Sequence, residues 1–250
     1  MSDIILETSG LRKSFGGFYA VDGVDLKVRR GTIHALIGPN GAGKTTCFNM
    51  LSKFLEPSAG TIALNGQDIT RLAPPMVARM GMVRSFQISA TFLTMTALEN
   101  VRLALQRQRG ENYDFWTSRK ALRQYDEQAW KLLSDVGLED MANVPASQLS
   151  YGRKRALEIA TTLALDPQVM LLDEPTAGMT HADVDRVVAL IRTIRRDRTI
   201  VVVEHNLSVV EGLCDAVTVL TRGKVLTEGA YSEVSRNPTV IAAYLGTVDA

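Results

Sequence analysis

The sequence is poor in the features that would set it apart from ordinary globular chains. Only two of its 250 residues are cysteines, Cys47 and Cys214, far apart and in no CxxC pair. That excludes a disulfide-built miniprotein and reads as two reduced, packed thiols in a cytosolic protein. Neither sign of charge dominates: 28 Lys+Arg against 27 Asp+Glu leave a net charge of +1, without the basic surplus of a nucleic-acid-binding surface. No apolar run approaches the roughly 18 residues of a membrane span. Apolar runs such as Val169–Leu172 and Ile200–Val203 are strand-sized, so any membrane role is expected to be peripheral. The first residues carry Asp3 and Glu7 and no basic stretch followed by an apolar one, so no signal peptide is expected. There is no internal repeat and no low-complexity tract. Hydrophobic residues at 46% and charged residues at 22% exclude a disordered chain and a collagen-like fibre.

What is present is an alternation of buried strands and helices. Ile33–Ile37, Val169–Leu172, Ile200–Val203 and Ala216–Leu220 read as buried strands. Helical patterns run from Lys44 to about Phe54 and from about His181 to Arg196, the second with apolar Val184, Val187, Val188, Ile191 and Ile194 on one face. Thr180 with Asp183 three residues on resembles a capping box at its start. Apolar strands separated by helices predict a mainly parallel sheet covered on both faces. Two segments depart from this. Val24–Val28 and Thr61–Gly66 alternate and turn, as an antiparallel sheet with one wet face does. Between Ile88 and Leu163 there is almost no strand signal; Ala97–Arg107, Ser118–Val136 and Tyr151–Leu165 read as helices, with a polar connection over Arg107–Tyr125. Trp116 and Trp130 read as packing residues.

Gly38-Pro39-Asn40-Gly41-Ala42-Gly43-Lys44-Thr45, followed by Thr46, fits G-x-x-x-x-G-K-[ST] between a predicted strand and a predicted helix. Glycines let successive backbone N–H groups wrap phosphate oxygens, and the helix presents its positive end to the same anion. Lys44 can reach the β- and γ-phosphates of a nucleotide, and the Thr45 hydroxyl can ligate Mg²⁺. The strand Val169–Leu172 then delivers Asp173 and Glu174 at its C-terminal end, where open α/β sheets place ligands. Asp173 would hold Mg²⁺, and Glu174 would stand by the attacking water as general base or water-orienting group. His205, after the strand Ile200–Glu204, either pins the γ-phosphate or the water, or caps the next helix. His34 and His181 read as structural.

Leu149-Ser150-Tyr151-Gly152-Arg153-Lys154-Arg155 places a serine just before a helix and a glycine two residues later, a second anion cradle. A chain with one complete phosphate loop does not need a second cradle for its own nucleotide. The economical reading is that Ser150 and Gly152 serve a nucleotide held by another subunit.

With these segments the chain resembles the ATP-binding subunits of ABC transporters over nearly its whole length. Gly38–Thr45 matches Walker A, Val169–Asp173 Walker B with Glu174 as catalytic glutamate, Ser150–Arg155 the signature, Gln87 the Q-loop and His205 the H-loop. Phe15 lies where the family places an aromatic residue that stacks on adenine. The resemblance implies a P-loop NTPase fold of the α/β class, with a mainly parallel core sheet, an N-terminal antiparallel β subdomain and an α-helical subdomain. It also implies one ATPase domain over 1–250, with residues 1–87 and 164–250 as the catalytic core and 88–163 as the helical part. The implied catalytic residues are Lys44, Gln87, Glu174 and His205. Gln87 would join Thr45 and Asp173 at the metal, and ATP and Mg²⁺ are the expected cofactors. The expected partners are a second ATPase subunit, identical or paralogous, transmembrane permease subunits and, indirectly, a periplasmic solute-binding protein, with no nucleic acid. The protein would sit peripherally on the cytoplasmic face of the inner membrane.

Pro175–Met179, Val203–Asn206, Asn237-Pro238 with Ala243–Gly246, and the long helical insertion between Gln87 and Ser150 resemble ATPases of branched-chain amino acid, urea and amide importers. ATPases of lipopolysaccharide-transport machinery share much of this pattern, and a soluble ABC ATPase would share every motif. Repair types carry long coiled coils for which this insertion is too short. Translation types carry two cassettes where this chain has one. The segment Ile88–Thr96, with Phe92, Leu93 and Met95, is expected either to line a groove for a permease helix or to pack as a plain loop. A nucleotide-switch GTPase is disfavoured by the lack of an Asn-Lys-x-Asp motif, and neither it nor a small-molecule kinase accounts for Ser150–Arg155. Three positions, in two motifs, depart from many members of the resembled family. Tyr151 and Arg153 stand where Gly and Gln are common, and Thr180 stands where the D-loop often ends in Asp.

Overall fold

The structure, a computed structural model, describes residues 3–85, 91–107 and 123–245. It divides into two compact units, Met1–Met82 with Gln168–Glu174 and Arg192–Ala250, and Val83–Pro167 with Pro175–Ile191. The helical unit thus also takes in most of the helix that starts at His181, a segment that the sequence reading left with the catalytic core.

The first unit begins with an antiparallel sheet. Strands β1 (Ile4–Phe15) and β2 (Phe18–Arg29) pair around a two-residue turn, Gly16-Gly17, with φ of +54° and +91°. Two consecutive positive φ values match the right-handed twist of a hairpin and favour glycine. Strands β4 (Ala59–Leu64) and β5 (Gln67–Asp68) extend the sheet in the order β2-β1-β4-β5. The expected alternation is present: Val24, Leu26 and Val28 are buried while Asp25 and Lys27 face solvent.

The second sheet of this unit is built around β3 (Ile33–Ile37), flanked in parallel by β8 (Thr199–Val203) and β9 (Ala216–Thr221). β7 (Val169–Asp173) lies parallel to β8, and β10 (Lys224–Gly229) folds back antiparallel on β9. With the edge strand β6 (Met82–Arg84) the order is β10-β9-β3-β8-β7-β6. Every residue of β3 and β8 is buried, which explains why these strands read as unbroken apolar runs. Leu36 and Asp173 both pair with Val203. The three strands therefore end level, and the loops after Ile37, Asp173 and Val203 leave from the same edge.

Helix α1 (Lys44–Leu51) is shorter than its pattern predicts. It ends because Lys53 takes a left-handed conformation, φ +64°, the usual device for stopping a helix, and Phe54 is exposed. Short helices α2 (Pro74–Arg79), α8 (Tyr231–Val234) and α9 (Pro238–Leu245) lack a long periodic signal and were not anticipated, while α7 (Leu207–Leu213) is the helix expected after His205. Both cysteines are free, and burial holds each thiol up at about 12, so neither is a nucleophile at neutral pH.

His34 lies inside the parallel sheet. Its Nε2 is 2.7 Å from the Thr218 hydroxyl, which donates to Glu228 at 2.6 Å. Burial holds the imidazole below its ordinary range, with Glu228 opposing. The unfolded chain therefore binds this proton at a higher pH than the folded one. The stability His34 contributes is complete above about pH 6.5 and is lost as pH falls through the folded value, at no more than about 1.4 kcal/mol per pH unit. Urea midpoints at pH 7.5 and pH 5.5 should fall with acid in the wild type and fall less in His34→Gln.

In the second unit α3 (Ala97–Arg107), α4 (Asp126–Asp135) and α5 (Tyr151–Leu163) pack on one another. They bury Leu98, Val101, Ala129, Leu133, Leu157 and Ile159. The helix expected from Ser118 is described only from Asp126, after a single turn at 123–125. Trp130 sits on the exposed side of α4 rather than in a core, and Trp116 lies outside the described residues. Helix α6 (His181–Ile194) starts on the predicted box: the Thr180 hydroxyl donates to Asp183 at 2.9 Å, and the Asp183 N–H reaches back to that hydroxyl at 3.4 Å.

Candidate active site

Between β3 and α1 the chain makes a loop that only glycine permits at its two ends. A Cβ on Gly38 would lie 2.2 Å from the Leu220 carbonyl oxygen, and one on Gly43 2.4 Å from the Ala20 carbonyl oxygen. Their φ values are +149° and +98°, with +77° at Gly41 between them. Hydrogen bonds from Ala42 N–H to the Pro39 carbonyl at 3.2 Å and from Gly223 N–H to the Ala42 carbonyl at 2.9 Å tie the loop to itself and to the β9–β10 turn. Asn40 is exposed and Pro39 half-buried. No side chain caps α1, which leaves its first-turn donors for an anion.

Lys44 starts α1. Its ammonium donates to the carbonyls of Gly38 at 2.6 Å and Pro39 at 2.9 Å. Burial lowers its pKa from the ordinary lysine value, and the Glu174 carboxylate opposes that. Thr45 is exposed and Thr46 half-buried.

The acids and the histidine come from the neighbouring strands. β7 ends at Asp173 and the chain turns at Glu174 with φ +41°, its N–H held by the Val203 carbonyl at 2.9 Å. A positive φ on a residue without glycine's freedom is the kind of strain that functional turns carry. His205 Nδ1 stands 3.8 Å from Glu174 Oε1. The alternative of a helix-capping histidine is excluded, because Asn206 caps α7 through its side-chain oxygen, 3.1 Å from Ser208 N and 3.4 Å from Val209 N.

Glu204 was missed from sequence. Its fully buried side chain accepts the N–H groups of His205 at 3.1 Å and Asn206 at 3.3 Å, and so fixes the turn that presents His205. The available signal was a carboxylate at the end of an otherwise apolar strand, immediately before a histidine. Phe15 sits at the tip of the β1–β2 hairpin, half exposed, with the Lys13 ammonium 5.4 Å from its ring centroid. Its free area suits stacking on a planar base.

The donors within this unit fit a hard cation. Thr45 supplies a hydroxyl and Asp173 a carboxylate, the oxygen ligands that Mg²⁺ takes alongside phosphate and water. Among the described residues no group of three or more His, Cys, Asp and Glu could hold a metal ion. Gln87 and Ile88 lie outside the described residues.

The helical unit carries the second cradle. Ser150 occupies the cap position of α5, yet its side chain makes no capping bond and is exposed. Gly152 is buried, and a Cβ there would fall 2.9 Å from Asp183 Oδ1. The glycine thus has a packing reason of its own, one that joins α5 to the Thr180–Asp183 box. Tyr151 is exposed and Arg153 is paired with Asp140 at 3.6 Å. The buried Asn100 holds the loop before α3 by accepting from Phe92 N at 2.8 Å and donating to the Phe92 and Thr96 carbonyls at 3.1 Å and 2.9 Å. Phe92 and Leu93 are left exposed.

Residues 21–177 match the ABC transporter family, and residues 224–250 match a family described as branched-chain amino acid ATP-binding cassette transporter. The chain is 41% identical to the high-affinity branched-chain amino acid transport ATP-binding protein BraF of Pseudomonas aeruginosa, over 98% of this chain and 99% of that one. It is similar to an ATP-binding cassette of an ABC transporter crystallised in its ADP conformation, with a TM-score of 0.84, 27% identity and coverage of 98% and 100%. It is also similar to a dimeric cassette in a post-hydrolysis state bound to ADP and Pi, with a TM-score of 0.75, 25% identity and coverage of 91% and 99%.

Proposed function

This chain belongs to the ABC transporter family, and on that premise we propose that it is the ATP-hydrolysing subunit of an importer for branched-chain amino acids. The observation that carries the reading is the near-full-length identity to a branched-chain amino acid transport ATP-binding protein. The separate match of the C-terminal segment supports it. Among the described residues no helix is long and apolar enough to cross a membrane. From its likeness to a transport ATP-binding protein we assign the subunit to the cytoplasmic face of the inner membrane, working on transmembrane permease partners and, through them, with a solute-binding protein. The exposed Phe92 and Leu93 are candidates for that contact.

The chemistry is positioning and charge. Phe15 stacks on the adenine, the N–H groups of Gly38–Thr46 cradle the phosphates, and Lys44 exchanges its loop carbonyls for phosphate oxygens. Mg²⁺, held by Thr45 and Asp173 with Gln87 as a further ligand, supplies charge neutralisation on the phosphates when bound. Glu174 accepts the proton of the water that attacks the γ-phosphorus, releasing ADP and phosphate. His205, steadied by Glu204, holds that water or the γ-phosphate from the other side. Two subunits, identical or paralogous, face each other so that Ser150 and Gly152 of one close over the nucleotide of the other.

The test is transport. Vesicles carrying this subunit and its permeases, supplied with solute-binding protein and ATP, should accumulate labelled leucine, isoleucine or valine, and accumulation should stop without ATP. A complex that hydrolyses ATP but moves none of the three overturns the solute assignment. ATPase activity indifferent to the permeases overturns the transport assignment.

A further inference from the structure

The tip of the β1–β2 hairpin carries two phenylalanines left out of the core. Phe15 is 50% exposed and Phe18 is 69% exposed. They pair directly across the Gly16-Gly17 turn. Residues paired in this way leave the ribbon on the same face, with Cβ atoms about 5 Å apart. Large apolar groups left together in water mark a surface that receives a ligand or a partner.

The position of the hairpin decides what is received. Lys13 pairs with Val21 and Ser14 with Tyr19, so Ala20 is an extra residue in β2. A bulge of this kind bends its strand and re-aims the neighbouring residues. Here it sets the Ala20 carbonyl against the phosphate loop, in the space that a Cβ on Gly43 would need. The Asp22 N–H donates to the Gly223 carbonyl at 2.8 Å, and the Gly223 N–H donates to the Ala42 carbonyl at 2.9 Å. The hairpin is thus tied to the phosphate loop, and Phe18 stands two residues from the Ala20 contact.

Phe15 alone is a poor match for a fused two-ring base. The Lys13 ammonium already lies 5.4 Å from its ring centroid, held by donating to the Glu56 carbonyl at 2.7 Å. Phe18 supplies a second ring on the same face. We infer that Phe18 is the second half of the base platform and the residue that makes a purine nucleotide preferred over a pyrimidine one. The inference rests on the nucleotide reading of Gly38–Thr45 given above and deepens it. Every base offers a π-face, so stacking discriminates by overlap and not by hydrogen bonds. A purine spans both rings, and a pyrimidine covers one. Neither phenylalanine carries a hydrogen-bonding group, so the platform treats adenine and guanine alike.

The experiment uses the purified full chain with Mg²⁺ and ADP, GDP, CDP or pyrophosphate, none of which is turned over. Calorimetry on the wild type should rank both purine nucleotides above CDP. Phe18→Ala should raise the Kd for ADP and GDP by about five- to thirtyfold, the effect of one aromatic ring lost from under a base. CDP and pyrophosphate should stay within about twofold of their wild-type values, because neither relies on the second ring. Phe18→Tyr keeps a ring at this position and should restore purine binding. Unaltered ADP affinity in Phe18→Ala overturns the inference. So does an equal loss for ADP, CDP and pyrophosphate, which is a disturbed loop and not a lost platform. In both cases a wild type that binds ADP leaves the function proposed above standing; a wild type that binds neither ADP nor pyrophosphate overturns both.

Discussion

Glu174→Gln should lower ATP turnover by about 10²- to 10⁴-fold, the usual contribution of a positioned general base, while ATP affinity stays at the wild-type level. The change removes one ionisable oxygen and little else. Glutamine keeps the side-chain length, and the backbone bond from residue 174 N–H to the Val203 carbonyl at 2.9 Å is untouched. The left-handed turn at φ +41° is kept as well. What is lost is a carboxylate 3.8 Å from His205 and close enough to Lys44 to oppose the lowering that burial imposes on the lysine's pKa. With hydrolysis blocked, the paired, nucleotide-closed state has no exit. The variant in Mg-ATP should therefore run as a dimer on size exclusion where the wild type does not. Turnover within tenfold of wild type would remove Glu174 from the chemistry, and a variant that never pairs would remove the facing arrangement of Ser150 and Gly152.

Lys44→Ala should weaken Mg-ATP binding by about 10- to 100-fold, equivalent to about 1.5–3 kcal/mol for hydrogen bonds made by a charged group. Its ammonium already sits inside the loop, on the Gly38 and Pro39 carbonyls. Truncation also leaves those two carbonyls without their donor, so some of the loss reflects a loosened loop. Lys44→Arg separates the two effects. It keeps the charge but puts a planar fork in place of a compact ammonium, and should recover thermal stability more than affinity. Equal ATP affinity in Lys44→Ala and wild type, read by calorimetry, would refute the phosphate role.

The phosphate loop was readable because its chemistry is consecutive in sequence. Strand, glycine turn, lysine and helix adjoin one another, and each residue type has a local reason to be there. Asp173 and Glu174 were readable because an apolar strand ended in acids. Glu204 was not, because a carboxylate in the same position signals equally a catalytic group or a buried brace. Only its bonds to the His205 and Asn206 amides tell which. The role of His205 stayed divided for the same reason, until Asn206 was seen to cap α7. The packing of Gly152 on Asp183 joins residues far apart in the chain, and no local pattern announces such a contact.

By itself the sequence determined the fold class, the buried strands, the phosphate loop and the acids at the end of β7. These rest on periodicity and on short-range stereochemistry, which a chain carries in its residue order. The tertiary structure alone decided that β3, β7 and β8 end level, so that Lys44, Glu174 and His205 meet at one edge. It also decided where helix α1 stops and which buried groups hold the site's backbone in place. Those outcomes depend on strand register and on close packing between distant segments, and both come into being only when the sheet assembles.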